Sequence, residues 1–207
     1  MISLCITHRV DEDISWVEDL YADLLIYNKG KEWDLPYTFV KSPKIKNEVD
    51  TYIRGIIDSY ENLHKYHWVF FLKPNCKDYN EDIISFLSIN QYNQIPFDQI
   101  IPLSKNNLDF NFENYFDIKE NDKTSENRLQ KLNHIYNVMN TLGLEMKGRS
   151  YPYCPGSQYR VPVNFILCKP KSWWILLHSY VTQMNEFFDD EISEYFEILW
   201  PLIFMPK

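Results

Sequence analysis

The apolar positions of the chain change period several times, and the changes mark out its elements. Ile2 to Thr7 is a short apolar run that stops at the polar stretch His8 to Asp13, as a buried strand does. Ile14, Val17 and Leu20 then recur on one helical face, with Asp13 placed to cap it. A second strand follows at Leu24 to Tyr27, closed by the turn Asn28-Lys29-Gly30. This is a β-α-β unit. Lys31 to Lys46 shows no period and contains Pro36 and Pro43, which predicts a long loop.

From Asn47 to Leu63 the residues Val49, Tyr52, Ile53, Ile56, Ile57 and Tyr60 keep helical spacing, with Gly55 tolerated among them. Trp68 to Leu72 is continuously apolar, as expected of a central strand covered on both faces, and Pro74 ends it. A short helix at Asp82 to Ile89 and a strand at Gln99 to Leu103 continue the alternation, and residues 104–124 form an irregular excursion. Ser125 caps a helix bearing Leu129, Leu132, Ile135, Tyr136, Met139 and Leu142, stopped by Gly143. Cys154 to Pro162 reads as a turn into a short strand. Two helices, Lys171 to Met184 and Asp190 to Leu199, finish the chain, the last ended by Pro201. The alternation predicts an α/β protein with a mostly parallel central sheet, flanking helices and a C-terminal helical portion.

Composition narrows the function classes. The 207 residues suit one domain, and 45% hydrophobic with 24% charged residues excludes a disordered or coiled-coil chain. A formal charge of −8 argues against a phosphate-tracking nucleic-acid surface. Cys5, Cys76, Cys154 and Cys168 are widely spaced without a CxxC pair, so reduced thiols are expected. The first residues lack a signal-peptide pattern, and no run approaches the roughly 20 apolar residues that span a bilayer. A cytoplasmic chain is expected. Lys outnumbers Arg by 16 to 5, and Asn and Ile are abundant. That bias suggests an AT-rich genome and is compatible with a large-virus origin, in which case the location is the host cytoplasm.

In a sheet of this kind ligands bind beyond the carboxyl ends of the strands. That points to His8–Asp13, Asn28–Gly30, Lys73–Tyr79 and Gly156–Tyr159. There is no GxGxxG, no Walker loop and no Gly-x-Ser-x-Gly, so dinucleotide, P-loop and α/β-hydrolase chemistry lose their main support. Asp11-Glu12-Asp13 has the Asp-x-Asp form that Mg²⁺ or Mn²⁺ favours, against the plainer reading of acids at a helix start. His64 and His67 stand three apart without a third ligand, and His134 and His178 receive no role. In the acidic cluster from Asp189 to Glu197, Glu194 and Glu197 share a helical face, so one is a candidate general base. Trp173 or Trp174 could stack on a sugar, though core packing is the commoner use.

The segments Asp11–Trp16, Tyr27–Gly30, Asn47–Tyr52, Ile56–Leu63, Val69–Leu72, Pro155–Tyr159 and Phe196–Trp200, in that order and spacing, resemble the domain-of-unknown-function 3431 family of fungi, algae, bacteria and large viruses. That family is in turn similar to glycosyltransferases of the A-type nucleotide-sugar fold. Gly156-Ser157-Gln158-Tyr159 resembles the acceptor-side turn of metal-independent branching enzymes, in which a later carboxylate acts as base. The resemblance implies one domain, residues 1–207, with a nucleotide-sugar half at 1–103 and an acceptor half at 104–207. It implies a base among Glu197, Glu194 and Asp190. It places the donor against Thr7, His8, Arg9, Asp11, Asn28, Lys29, Asn47, Asn75 and Asp78, with Lys73, Lys77, Arg149 or Arg160 offsetting phosphate charge. The acceptor falls to Gly156, Ser157, Gln158, Tyr159 and Trp173.

The partners implied are a nucleotide sugar and a glycan or protein acceptor, with no resident metal; Mg²⁺ or Mn²⁺ would arrive, if at all, with the donor. Two motifs depart from the family pattern. Lys46-Asn47-Glu48-Val49-Asp50 stands where Gly-Arg-Glu-Ala-His is usual, and Lys73 to Tyr79 replaces Gln-Gly-x-Pro-x-x-His. The alternative is therefore a catalytically inactive binding or interaction protein of the same fold.

Overall fold

A computed structural model describes residues 3–9, 11–30, 39–41, 47–87, 98–105, 108–111, 130, 133–134, 136–144, 150–187 and 192–206. Strands β1 (Ser3–Arg9), β2 (Asp23–Asn28), β3 (Phe39–Lys41) and β4 (Trp68–Phe71) run parallel in the spatial order β3-β2-β1-β4. Beyond β4 lie β8 (Tyr159–Pro162) and then β5 (Ile101–Pro102), each paired antiparallel with its neighbour. The sheet is thus mixed, not mostly parallel as alternation suggests. The reason is local: the turn at Gly156 feeds β8 in from the opposite end, a direction that apolar periodicity does not encode. β6 (Leu108–Asn111) and β7 (Ser150–Tyr153) form a separate antiparallel pair, one strand of it inside the stretch expected to be irregular.

Helix α1 (Glu48–Ser59) covers one face of the sheet together with two late helices, and a 3₁₀ segment, Tyr60–Lys65, extends it. Asn47 caps α1, its side chain accepting the N–H of Asp50. The Ser15–Asp19 segment is a 3₁₀ turn in place of the expected helix, and Asp13 accepts both the N–H and the hydroxyl of Ser15. Past β4 come two short helices, α2 (Cys76–Tyr79) and α3 (Ile83–Phe86). Helical backbone at residues 136–141 ends at Gly143, whose φ of 73° is the left-handed stop that the sequence announces. After β8, α4 (Val163–Leu167), α5 (Lys171–Phe187) and α6 (Ile192–Phe204) complete the chain.

Helix α6 runs through Pro201 instead of stopping there. Proline has no N–H for the carbonyl four residues back, which belongs to Glu197; the Tyr159 hydroxyl donates to that carbonyl at 3.1 Å. A tertiary partner thus replaces the missing helical bond. Period-two alternation divides the sheet residues between two cores. Leu4, Ile6, Tyr27, Val69, Phe71, Tyr159 and Val161 face α1, α5 and α6. Cys5, Ile26, Trp68, Phe70 and Leu72 face the side of the Ser15–Asp19 turn, α2 and α3. Among the described residues no helix is long and apolar enough to cross a membrane.

Candidate functional site

The connection out of β1 leads to β2 on one side, whereas β4 joins on the other. The carboxyl ends of β1 and β4 therefore diverge into a crevice, the usual seat of a ligand in open α/β sheets. The side chains gathered there are polar and largely buried. His8 ends β1, Asn28 and Lys29 end β2, Lys73 follows β4, Asn47, Glu48 and Asp50 start α1, and the Gly156-Ser157 turn precedes β8. Helix α6 brings Ser193 and Glu197 over the same mouth.

Lys73 is the hub. Its Nζ lies 3.2 Å from Glu48 Oε1 and 3.5 Å from Glu197 Oε1, with the lysine side chain 16% exposed. Burial works against its charge, but Glu48, Tyr79 and Glu197 outweigh it and hold the ammonium above its ordinary pKa. Glu48 also accepts the Ser193 hydroxyl at 3.0 Å, and Glu197 accepts the Gly156 N–H at 3.0 Å. Ser193, Glu48, Lys73, Glu197 and Gly156 therefore form a continuous polar chain across α6, α1, the end of β4 and the turn. Around it, His178 Nε2 lies 2.6 Å from Asp50 Oδ1, and Asn47 Nδ2 donates to Asn185, so α5 is tied to the start of α1 by polar contacts.

Burial, then the charges of Lys29 and Lys73, push the His8 imidazole down to about 3, so it is uncharged at neutral pH. Lys29 is lowered by burial, an effect opposed by Glu48, Asp50 and Glu12. Gly156 has a φ of 83°, and a Cβ on it would lie 2.8 Å from the Tyr79 ring, so only glycine fits between that ring and Glu197. Ser157 follows in the left-handed region at φ 56° and is fully buried. The Ser157 hydroxyl, His8 Nδ1 and Gln158 Oε1 have no partner among the described residues.

The expected site residues divide accordingly. His8, Asn28, Lys29, Asn47, Lys73, Gly156, Ser157 and Glu197 meet at the crevice. Thr7 and Gln158 are buried beside it, and Gln158 points to the other face of the sheet, where its Nε2 reaches the Cys76 carbonyl at 3.5 Å. Tyr159 serves the Glu197 backbone. Lys77 and Asp78 are exposed on α2, and Asn75, exposed just before it, donates to Asp78. Asp11 is exposed, and of Arg9 only the backbone is described, paired with Asn28. Glu194 is exposed, one turn short of Glu197, whereas Asp190 and Arg149 lie outside the described residues. Trp173 donates to the Leu142 carbonyl and meets Trp174 edge to face, with no described contact to Glu197. Arg160 is fully buried over the Trp68 ring, 3.9 Å from its centroid, on the face away from α6.

Sequence reasoning missed Glu48, Asp50, His178, Asn185 and Ser193. The signal for the first two was present: an Asn47 cap at a strand-rich mouth places the acids of the first helical turn there as well. Among the described residues no three His, Cys, Asp or Glu side chains are grouped to hold a metal, and His64 and His67 are both exposed. The four thiols are free. A groove at the opposite end of the strands, lined by Leu4, Asp23, Leu25, Asp58 and Tyr66, has its carboxylates engaged, Asp23 by the Tyr66 hydroxyl and Asp58 by the Tyr27 hydroxyl behind it.

Fold and crevice together define an α/β protein with a mixed sheet and a buried, charge-alternating mouth at the ends of its parallel strands. The family model described as "Protein of unknown function (DUF3431)" matches residues 4–207, and the chain belongs to that family. No curated protein and no solved structure matches it.

Proposed function

We infer that the chain is a glycosyltransferase that moves a sugar from a nucleotide-sugar donor to an acceptor hydroxyl, with Glu197 as general base. The observation that carries this reading is the position of Glu197. A carboxylate from the last helix sits in the crevice beside β1 and β4, oriented by the Gly156 N–H and in contact with Lys73. Such a group is placed to take the proton of an acceptor hydroxyl as its oxygen attacks the anomeric carbon. The bond from that carbon to the diphosphate then breaks, and the nucleoside diphosphate leaves with the electron pair. Residues 1–103 supply the donor side and residues 104–207 the acceptor side. The sheet order, with β8 reversed beside four parallel strands, suits an A-type nucleotide-sugar fold.

The test is to incubate the purified chain with nucleotide sugars and candidate acceptors and to measure released nucleoside diphosphate. Release is expected, and Glu197→Gln should reduce it by about 10²-fold or more. A second reading, a catalytically silent binding protein, is favoured by one observation: the Lys73 charge is already shared by two carboxylates. Donors that raise the melting temperature without being cleaved would select it.

A further inference from the structure

Three neighbouring strands bring one residue each, at or just beyond their ends, to the same level of the crevice. Ile6 pairs with Phe71 and Phe71 with Tyr159. Two residues further along β1 and past β4, and two residues before β8, stand His8, Lys73 and Ser157. Alternation puts His8 on the face of α1 and α6, and the register sets the three backbone positions about 4.8 Å from strand to strand; Ser157, left-handed and outside β8, joins them through the turn whose Gly156 N–H meets Glu197. The pairing of Lys73 with Glu48 and Glu197 fixes that face for the central member.

Both flanking groups are unfinished. His8 is 9% exposed and Ser157 0%, yet His8 Nδ1 and Ser157 Oγ have no partner among the described residues. Burying a polar group without a partner is unfavourable, and Ser157 adds a left-handed φ that a serine rarely adopts. Strain and unmade hydrogen bonds on both sides of one ammonium indicate a group that arrives from outside.

We propose that His8, Lys73 and Ser157 form a phosphate seat, an ammonium between two uncharged hydrogen-bonding groups, which takes the diphosphate of the donor. This rests on the nucleotide-sugar reading above and moves Ser157 from the acceptor to the donor side. An uncharged imidazole offers an N–H without adding charge, and the serine hydroxyl does the same. The phosphate oxygen takes the ammonium from Glu197, the longer of its two contacts, while Glu48 keeps Lys73 in the crevice. Glu197 keeps the Gly156 N–H and faces the acceptor.

Calorimetric titration with inorganic pyrophosphate, with orthophosphate, and with uridine, guanosine and adenosine diphosphates separates a free anion from a nucleotide as the source. Pyrophosphate and a nucleoside diphosphate should bind the native chain. Ser157→Ala and Ser157→Gly should each weaken pyrophosphate by about three- to ten-fold, the loss of one hydrogen bond. The glycine variant relieves the backbone strain and so guards against misfolding as the cause. His8→Leu should weaken binding to a similar extent, His8→Gln should restore most of it, and Lys73→Met should remove it. If nucleotide sugars bind the native chain and the Ser157 and His8 variants bind pyrophosphate unchanged, the seat is wrong while the transferase reading stands. Binding of neither pyrophosphate nor any nucleotide sugar overturns both.

Discussion

The backbone carbonyl of Glu197 accepts the Tyr159 hydroxyl at 3.1 Å because Pro201 has no N–H to offer it. Strand β8 and helix α6 are thereby joined at the residue whose side chain reaches the crevice. Tyr159→Phe should cost about 1–2 kcal/mol, the penalty of a carbonyl left unpaired. Pro201→Ala gives that carbonyl a helical partner again. In the double variant the tyrosine substitution should therefore cost markedly less, as read from thermal unfolding of all four proteins; equal costs in both backgrounds would exclude the link.

Lys73 stands between Glu48 and Glu197, and its removal leaves the buried Glu48 and the half-buried Glu197 carboxylates facing one another. Lys73→Met should destabilise the chain by about 3 kcal/mol, near the lower end for a broken buried pair because none of the three side chains is sealed from water. In a Glu48→Gln background the same change should cost less. Urea titrations of the four-protein cycle measure the coupling, and additivity within about 0.5 kcal/mol would mean that the pair contributes nothing.

The imidazole of His8 titrates at about 3 in the folded chain, against about 6.5 unfolded. Between these values the unfolded state binds the extra proton, so stability rises with pH: it is complete above about 6.5 and is lost as pH falls toward 3. From pH 6.5 to 4.5 the loss attributable to this group is about 2–3 kcal/mol. His8→Leu should flatten that part of the urea-derived stability curve, and an unchanged curve would place the acid sensitivity elsewhere.

Much of the frame was legible in the sequence. The Val49 to Tyr60 stripe gave α1, the continuous run at Trp68 gave β4, and Gly143 marked its helix end. Three features were not legible, each for a physical reason. The direction of β8 depends on which end of the sheet its turn enters, and period two is the same in either direction. The passage of α6 through Pro201 depends on a hydroxyl from Tyr159, 42 positions earlier. The Glu48 side chain looks like an ordinary first-turn acid until Lys73 and Ser193 are brought to it from other elements. Helical spacing puts Glu197 and Glu194 on one face, and the family resemblance adds Asp190; only packing separates the half-buried Glu197 from the exposed Glu194.

Gly55 shows the same limit on a smaller scale. Periodicity treats it as a tolerated weak spot in α1, whereas a Cβ there would lie 2.6 Å from Ile6 Cγ2. Gly55→Ala should therefore destabilise by about 1–3 kcal/mol in spite of the better helix propensity of alanine. Trimming the opposing residue with Ile6→Val should recover part of the loss in differential scanning calorimetry. A more stable Gly55→Ala protein would show that α1 can lift away at little cost.

The reversed course of β8 decides which part of the late chain the ligand mouth receives. Had that strand run with its neighbours, its exit at Pro162 and the start of α4 would open onto the mouth, and the Gly156-Ser157 bend would lie at the far rim. Orientation alone thus selects a cramped, glycine-dependent loop over a helix entrance as the lip of the cleft.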